Sequence, residues 1–292
     1  LPGLYFNLKQ VYLFVKFGLF QMGTRFFDYL SANVDYIIIG RFLGPEALGL
    51  YSLAYGLVML PLAKINPVVT SVAFPTFARI QADTVTLKLG YLKMLRYIST
   101  CTFPILAGLF VVAPLFVPLI YGPTWAPAVP VLQILCLVGI FYSLGNPIGS
   151  LLLAKGRADL AFYFNAFVVV VMVLANLVGV RWGIHGVALS TLVAIILITW
   201  PSEFYLRWRL IGMKVREYLI SIKVPAMISF SMILLLWCTS FIWAKMNESP
   251  SLILQILVGA SFYFITLWLT AKPFCRELIN NLFSNSLRFK RL

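Results

Sequence analysis

Eight runs of apolar residues constrain this chain more than any other feature, at about 11–40, 48–77, 95–120, 129–154, 160–180, 187–206, 219–243 and 252–271. Most are close to the roughly 20 residues that a helix needs to cross the hydrocarbon core of a bilayer. Ten-residue segments of alternating polarity, the mark of a membrane β-barrel, do not occur. Only 11% of the residues are charged, against about 25% in soluble domains, so a water-exposed surface cannot be built. The expected fold class is an all-α integral membrane protein of about eight transmembrane helices.

Charge placement orients the spans. The 23 Lys and Arg against nine acids sit mostly in short segments between apolar runs. Groups of them follow the second, fourth and sixth runs: Arg79, Lys88 and Lys93; Lys155 and Arg157; Arg207, Arg209, Lys214 and Arg216. The connectors after the odd-numbered runs hold one basic residue or none. By the positive-inside rule both termini and the even connectors are expected in the cytoplasm. The same scattering excludes a nucleic-acid partner, because no basic face with stacking aromatics emerges. The chain opens Leu1-Pro2-Gly3 without an initiator methionine, and the expectation is a portion of a longer protein.

Four cysteines, Cys101, Cys136, Cys238 and Cys275, are scattered and never spaced as a metal or disulfide framework. With a single histidine, His185, and no phosphate-cradling loop, no catalytic constellation forms. The expectation is a non-enzyme without metal or cofactor.

Ionisable residues inside a spanning helix are costly and mark functional or bundle-interior positions. The first run carries Gln21, Arg25, Asp28 and Asp35. At roughly 100° per residue, Arg25, Asp28 and Asp35 fall within about 80° of one another. Such a polar stripe lines water or a protein partner. Two readings stay open: Arg25 and Asp28 pair along the helix, or the stripe lines a hydrated transport cavity with Arg25 free for an anionic ligand. Asp28 and Asp35 are the candidates for ion coupling, and Asp35 also suits an interfacial role.

The second run places Lys64 and Asn66 between Pro61 and Pro67. Proline removes a backbone donor, and within a membrane such breaks survive where protein or a water-filled cavity satisfies the freed groups. Lys64 is therefore either a second cationic cavity contact, beside Asn66 and Gln21, or a snorkelling lysine. Asn146-Pro147 is a further break, and Pro61, Pro67 and Pro147 are the gating candidates. Asn165 and Asn176 are expected to join helices, and Glu203 to pair with Arg207 at i+4.

Four segments carry a family resemblance: DYIIIGRFLGPEALGLYSLAYGLVML at 35–60, KINPVVTSVAFPTFARIQ at 64–81, YGPTWAPAVPVLQILC at 121–136 and GIHGVALSTLVA at 183–194. Together they resemble the polysaccharide exporters of the multidrug/oligosaccharidyl-lipid/polysaccharide flippase superfamily, especially the colanic-acid-type branch. The resemblance implies two six-helix lobes around a central cavity, often with two further helices. Residues 1–212 would then be the second lobe and 213–292 the added pair with a basic tail. It also implies export of undecaprenyl-pyrophosphate-linked oligosaccharide across the bacterial inner membrane by alternating access, with Arg25 and Lys64 matching the family's cavity-lining cations. Implied partners are the lipid-linked oligosaccharide, membrane lipids, and a polysaccharide polymerase and export machinery. The alternatives are a cation-coupled multidrug exporter using Asp28 and Asp35, and a membrane glycan polymerase or ligase.

Overall fold

A computed structural model describes residues 8–243 and 248–270 and contains only helices among them. In chain order these are α1 (Leu8–Phe42), α2 (Gly44–Arg79), α3 (Thr84–Tyr121), α4 (Ala128–Gly145), α5 (Pro147–Ala154), α6 (Ala158–Gly179), α7 (Gly183–Ala194), α8 (Trp200–Ile211), α9 (Val215–Trp243) and α10 (Glu248–Thr270). A five-residue π-helix, Ile195–Thr199, joins α7 to α8. Cys275, the basic tail and the first seven residues lie outside the described residues.

Among the described residues, six helical stretches are long and apolar enough to cross a membrane. The polar α1 is not among them, and α6 through α8 form one stretch, Ala158–Ile211. Such a set of stretches is that of a multi-pass membrane protein.

α1 packs along α6, α2 against α4 and α5, α3 against α4, and α6 against α7, while α9 and α10 lie on α3. Tyr51, Ala54, Val58 and Leu62, at helical spacing on α2, are buried and meet Leu135, Val138 and Leu106 in the largest core. Hydrogen bonds supplement packing, as expected where no hydrophobic force drives helices together. Thr102 donates to Ser143 at 3.1 Å between α3 and α4, Thr191 to Asn176 at 2.8 Å between α7 and α6, and Tyr263 to the Thr100 carbonyl at 2.9 Å between α10 and α3. The expectation that Asn176 joins helices is met.

The α6–α7 turn is the tightest crossing. Gly183 has φ +69°, and a methyl group on Gly186 would lie 2.1 Å from the Gly179 carbonyl oxygen. Glycine alone lets the two backbones meet there.

Three expectations are corrected. The polar connector read over 78–93 is only a short turn, because α3 already begins at Thr84. Asp83 caps it, accepting from the backbone N–H groups of Val85 at 2.9 Å and Thr86 at 3.2 Å and from the Thr86 hydroxyl. Those bonds, the Thr86 hydroxyl foremost, hold the Asp83 carboxyl below its ordinary value. Second, Pro61 and Pro67 do not interrupt α2, which runs continuously past both. Each proline removes one donor, and the helix persists where its surroundings supply the remaining bonds. Only Pro147 stands at an interruption, between α4 and α5. Third, Arg207 belongs to no cytoplasmic connector: it lies within α8 and is 0% exposed.

Candidate functional site: a carboxylate-lined cavity

A half-open cavity of about 310 Å³ has walls from α1, α2, α4, α6, the π-helix and α8, with Asp28 exposed at it. Its polar lining comprises Asp28 and Ser31 from α1, Asn66 from α2, Asn146 at the α4–α5 interruption, Asn165 from α6, Thr199 from the π-helix and Glu203 from α8. Tyr55, Phe141, Tyr142, Phe164 and Trp200 supply aromatic walls. Two local irregularities thus open onto the same space. The proline break exposes Asn146, and the π-helix, a form that recurs at functional sites, brings Thr199 and Ile195 to the wall.

Asp28 accepts a hydrogen bond from the Asn165 side-chain amide, which ties α1 to α6 across the cavity wall. Asn66 Oδ1 and Thr199 Oγ1 are buried with no hydrogen-bond partner. Among the described residues no lysine or arginine lines the space, although Arg207 balances Glu203 from beside it. Asp28 and the unpartnered oxygens make a cavity that favours cations and hydrogen-bond donors over anions.

The sequence-predicted residues therefore separate into three places. Asp28 and Asn66 reach the cavity. Arg25 and Lys64 do not: both are exposed, Arg25 one turn before Asp28 without an ion pair to it, and Lys64 between the exposed Leu60 and Val68. Gln21 also lies outside the lining, half-buried, its Oε1 without a partner. Asp35 is buried in a separate node, where its carboxylate receives Tyr51 Oη at 2.8 Å and the Tyr36 N–H at 2.9 Å. Tyr36, Tyr51 and Tyr55 pack ring against ring beside it.

Sequence reasoning missed the cavity role of Glu203 and the burial of its partner. Glu203 Oε2 accepts Arg207 Nη2 at 2.6 Å, as the i,i+4 spacing suggested. The same guanidinium donates through Nε to Tyr91 Oη at 2.9 Å and through Nη2 to the Leu144 carbonyl at 3.2 Å, and faces the Tyr218 ring at 5.5 Å. The aromatic residues around Trp200 and Tyr218 were the available signal that this arginine has an apolar setting.

Residues 1–130 match a family described as polysaccharide biosynthesis protein. Over 229 residues the chain is 40% identical to the lipopolysaccharide biosynthesis protein WzxC of Escherichia coli (strain K12), covering 78% of this chain and 46% of that protein. Over 272 residues it is 38% identical to the teichuronic acid biosynthesis protein TuaB of Bacillus subtilis (strain 168), covering 91% of this chain and 56% of that protein. The family match is confined to residues 1–130, and the two relatives extend the similarity over most of the chain. The chain spans about half the length of the curated relatives it matches. Its fold is that of the lipid II flippase MurJ in an inward closed conformation, with a TM-score of 0.68 at 21% identity over 94% of this chain and 57% of that one. The cavity, the Asp35 node and the buried arginine are thus set in the fold of that solved structure.

Proposed function

We propose that this chain takes part in moving lipid-linked oligosaccharide repeat units across the inner membrane for cell-surface polysaccharide synthesis. The similarity to the two biosynthesis proteins carries this reading, and the flippase-type fold is consistent with it. We read α1 through α8 (residues 1–212) as one six-span lobe and α9 with α10 (213–292) as an appended pair. The 54-residue stretch Ala158–Ile211 would be roughly 80 Å long as one helix, so the turn at Gly183 divides it into two passes. With α1 the total is eight, both ends cytoplasmic.

The chemistry of the two faces divides the ligand. A pyrophosphate group would be repelled by Asp28 in the cavity, where Glu203 is already balanced by Arg207, and attracted by Arg25 and Lys64 on the exposed faces of α1 and α2. Those two cations are the proposed headgroup contacts. Asp28 is the proposed ion-coupling residue of the cavity, and Asp35 is assigned instead to holding α1 on α2. A polysaccharide polymerase and export machinery are the proposed partners downstream.

The test places Arg25→Ala and Lys64→Ala together at the gene's own locus. Surface polysaccharide should fall and lipid-linked repeat units should accumulate facing the cytoplasm. Unchanged surface polysaccharide at native protein levels would remove both residues from the headgroup site.

A further inference from the structure

Arg207 joins four separate helices through one side chain. Its own helix, α8, supplies Glu203, α3 supplies Tyr91, α4 supplies the Leu144 carbonyl, and α9 supplies the Tyr218 ring. Leu144 and Gly145 are the last residues of α4, immediately before the interruption at Asn146-Pro147. Gly145 lies so close to Glu203 that a methyl group built on it would sit 2.9 Å from Glu203 Oε1. One oxygen of Glu203 therefore rests against the end of α4 while the other holds the arginine that binds α4's last turn. The same carboxylate lines the cavity.

We propose that Glu203 is a proton-binding site of the cavity and that Arg207 transmits its charge state to the α4–α5 interruption. When Glu203 is ionised, the pair is neutral and the guanidinium is held in place. When a proton from cavity water adds to Glu203, the carboxylate becomes a neutral carboxyl group and no other bond forms or breaks. Arg207 is then a buried cation without its counter-charge, already carrying an unpartnered Nη1. Breaking one side of a buried pair is strongly unfavourable, and the relief available is movement of the guanidinium away from Leu144. The interruption, which lacks a proline N–H to hold it, is then free to bend. Loss of the proton restores the pair.

The groups around Glu203 allow this. Besides Arg207, the groups near it are Tyr91 from α3, Tyr142 from α4, Tyr218 from α9 and, in the same cavity, Asp28 from α1. The α2 and α6 walls add Tyr55, Asn66 and Asn165. Arg207 is the single cation among them, so the ionised state of Glu203 depends on that one partner. Nothing in the assignment depends on which molecule is moved, so it can fail or stand apart from the reading above.

The chain reconstituted in lipid vesicles should show, in pH-difference infrared spectra, a protonated-carboxyl band that is lost in Glu203→Gln and kept in Asp28→Asn and Asp35→Asn. Amide hydrogen exchange across 141–148 should be about tenfold or more faster in Glu203→Gln than in the unmodified chain at pH 7.5, as expected on losing a charge-assisted hydrogen bond. In Arg207→Lys, which lacks the guanidinium fork, that segment should exchange fast while the carboxyl band remains. A band that persists in Glu203→Gln, or exchange that does not differ between Glu203→Gln and the unmodified chain, overturns the proposal. Should Glu203→Gln fail to fold, the unmodified chain is treated with a carbodiimide, which modifies protonated buried carboxyls. An adduct on Glu203 whose yield rises with acidity supports the assignment, and adducts confined to other residues overturn it.

Discussion

Asp35 is 6% exposed and receives two donors, one from its neighbour's backbone and one from Tyr51 on the next helix. Removing the hydroxyl leaves a buried carboxylate oxygen without its cross-helix partner. Tyr51→Phe should therefore lower thermal stability in detergent by about 1–3 kcal/mol, whereas Tyr12→Phe, on the exposed face of α1, should leave it unchanged. Equal melting of both variants would show that the Asp35–Tyr51 bond does not hold α1 on α2. At this scale the sequence was legible in residue type and not in placement. The rarity of charge inside spanning segments singled out Asp28, Asp35, Arg25 and Lys64, of which Asp28 lines the cavity and Asp35 is buried, while Arg25 and Lys64 are exposed outside it. Which of them share a space depends on how helices rotate against each other. Asp28 and Glu203, 175 residues apart in the chain, meet at one cavity that no local pattern encodes.

Helices themselves were legible because each apolar run must satisfy its backbone internally in a membrane. Within the described residues, all eight runs lie on helices. What failed were boundaries set by polar residues. The first turns of α3 carry Lys88 and were read as connector, although Asp83 followed two residues later by a bonded N–H is an N-cap arrangement. The prolines of α2 were read as breaks, yet a proline need not end a helix held by its neighbours. The crossing of α6 and α7 offers the sharpest element-scale prediction. Gly186→Ala would drive a methyl group into the Gly179 carbonyl, and backbone cannot swing aside as a side-chain tip can. The expected loss is at or above the upper end of the roughly 1–3 kcal/mol typical of overpacking, read as a fall in detergent melting temperature. Gly149→Ala on α5, where an added methyl meets nothing within 4 Å, is the matched control and should melt unchanged.

Across the whole molecule, the proposed eight passes with cytoplasmic ends make an accessibility pattern that can be checked directly. In a background without native cysteines, Glu46→Cys and His185→Cys should react with an impermeant thiol reagent applied to intact spheroplasts. Gln81→Cys should react only after permeabilisation. All three positions are exposed, so a reversed pattern would invert the orientation and a uniform one would remove a pass. The attachment of α9 and α10 is also a property of this scale. They pack on α3 through Ala107, Ile228, Met232, Leu236, Tyr263 and Leu267, and Lys88 meets Glu217 at 2.9 Å.

That makes α3 common to both parts. Its 38 residues measure roughly 57 Å at 1.5 Å per residue, nearly twice the roughly 30 Å of hydrocarbon it has to cross. A helix of that length reaches beyond the hydrocarbon, and its polar first turns carry the Lys88–Glu217 contact. A bilayer thick enough to engulf those turns would press on that contact, whereas a thin one would leave it in water. Membrane thickness would then act as a mechanical input to the bundle, delivered at a helix that touches both the cavity-bearing core and the outer pair.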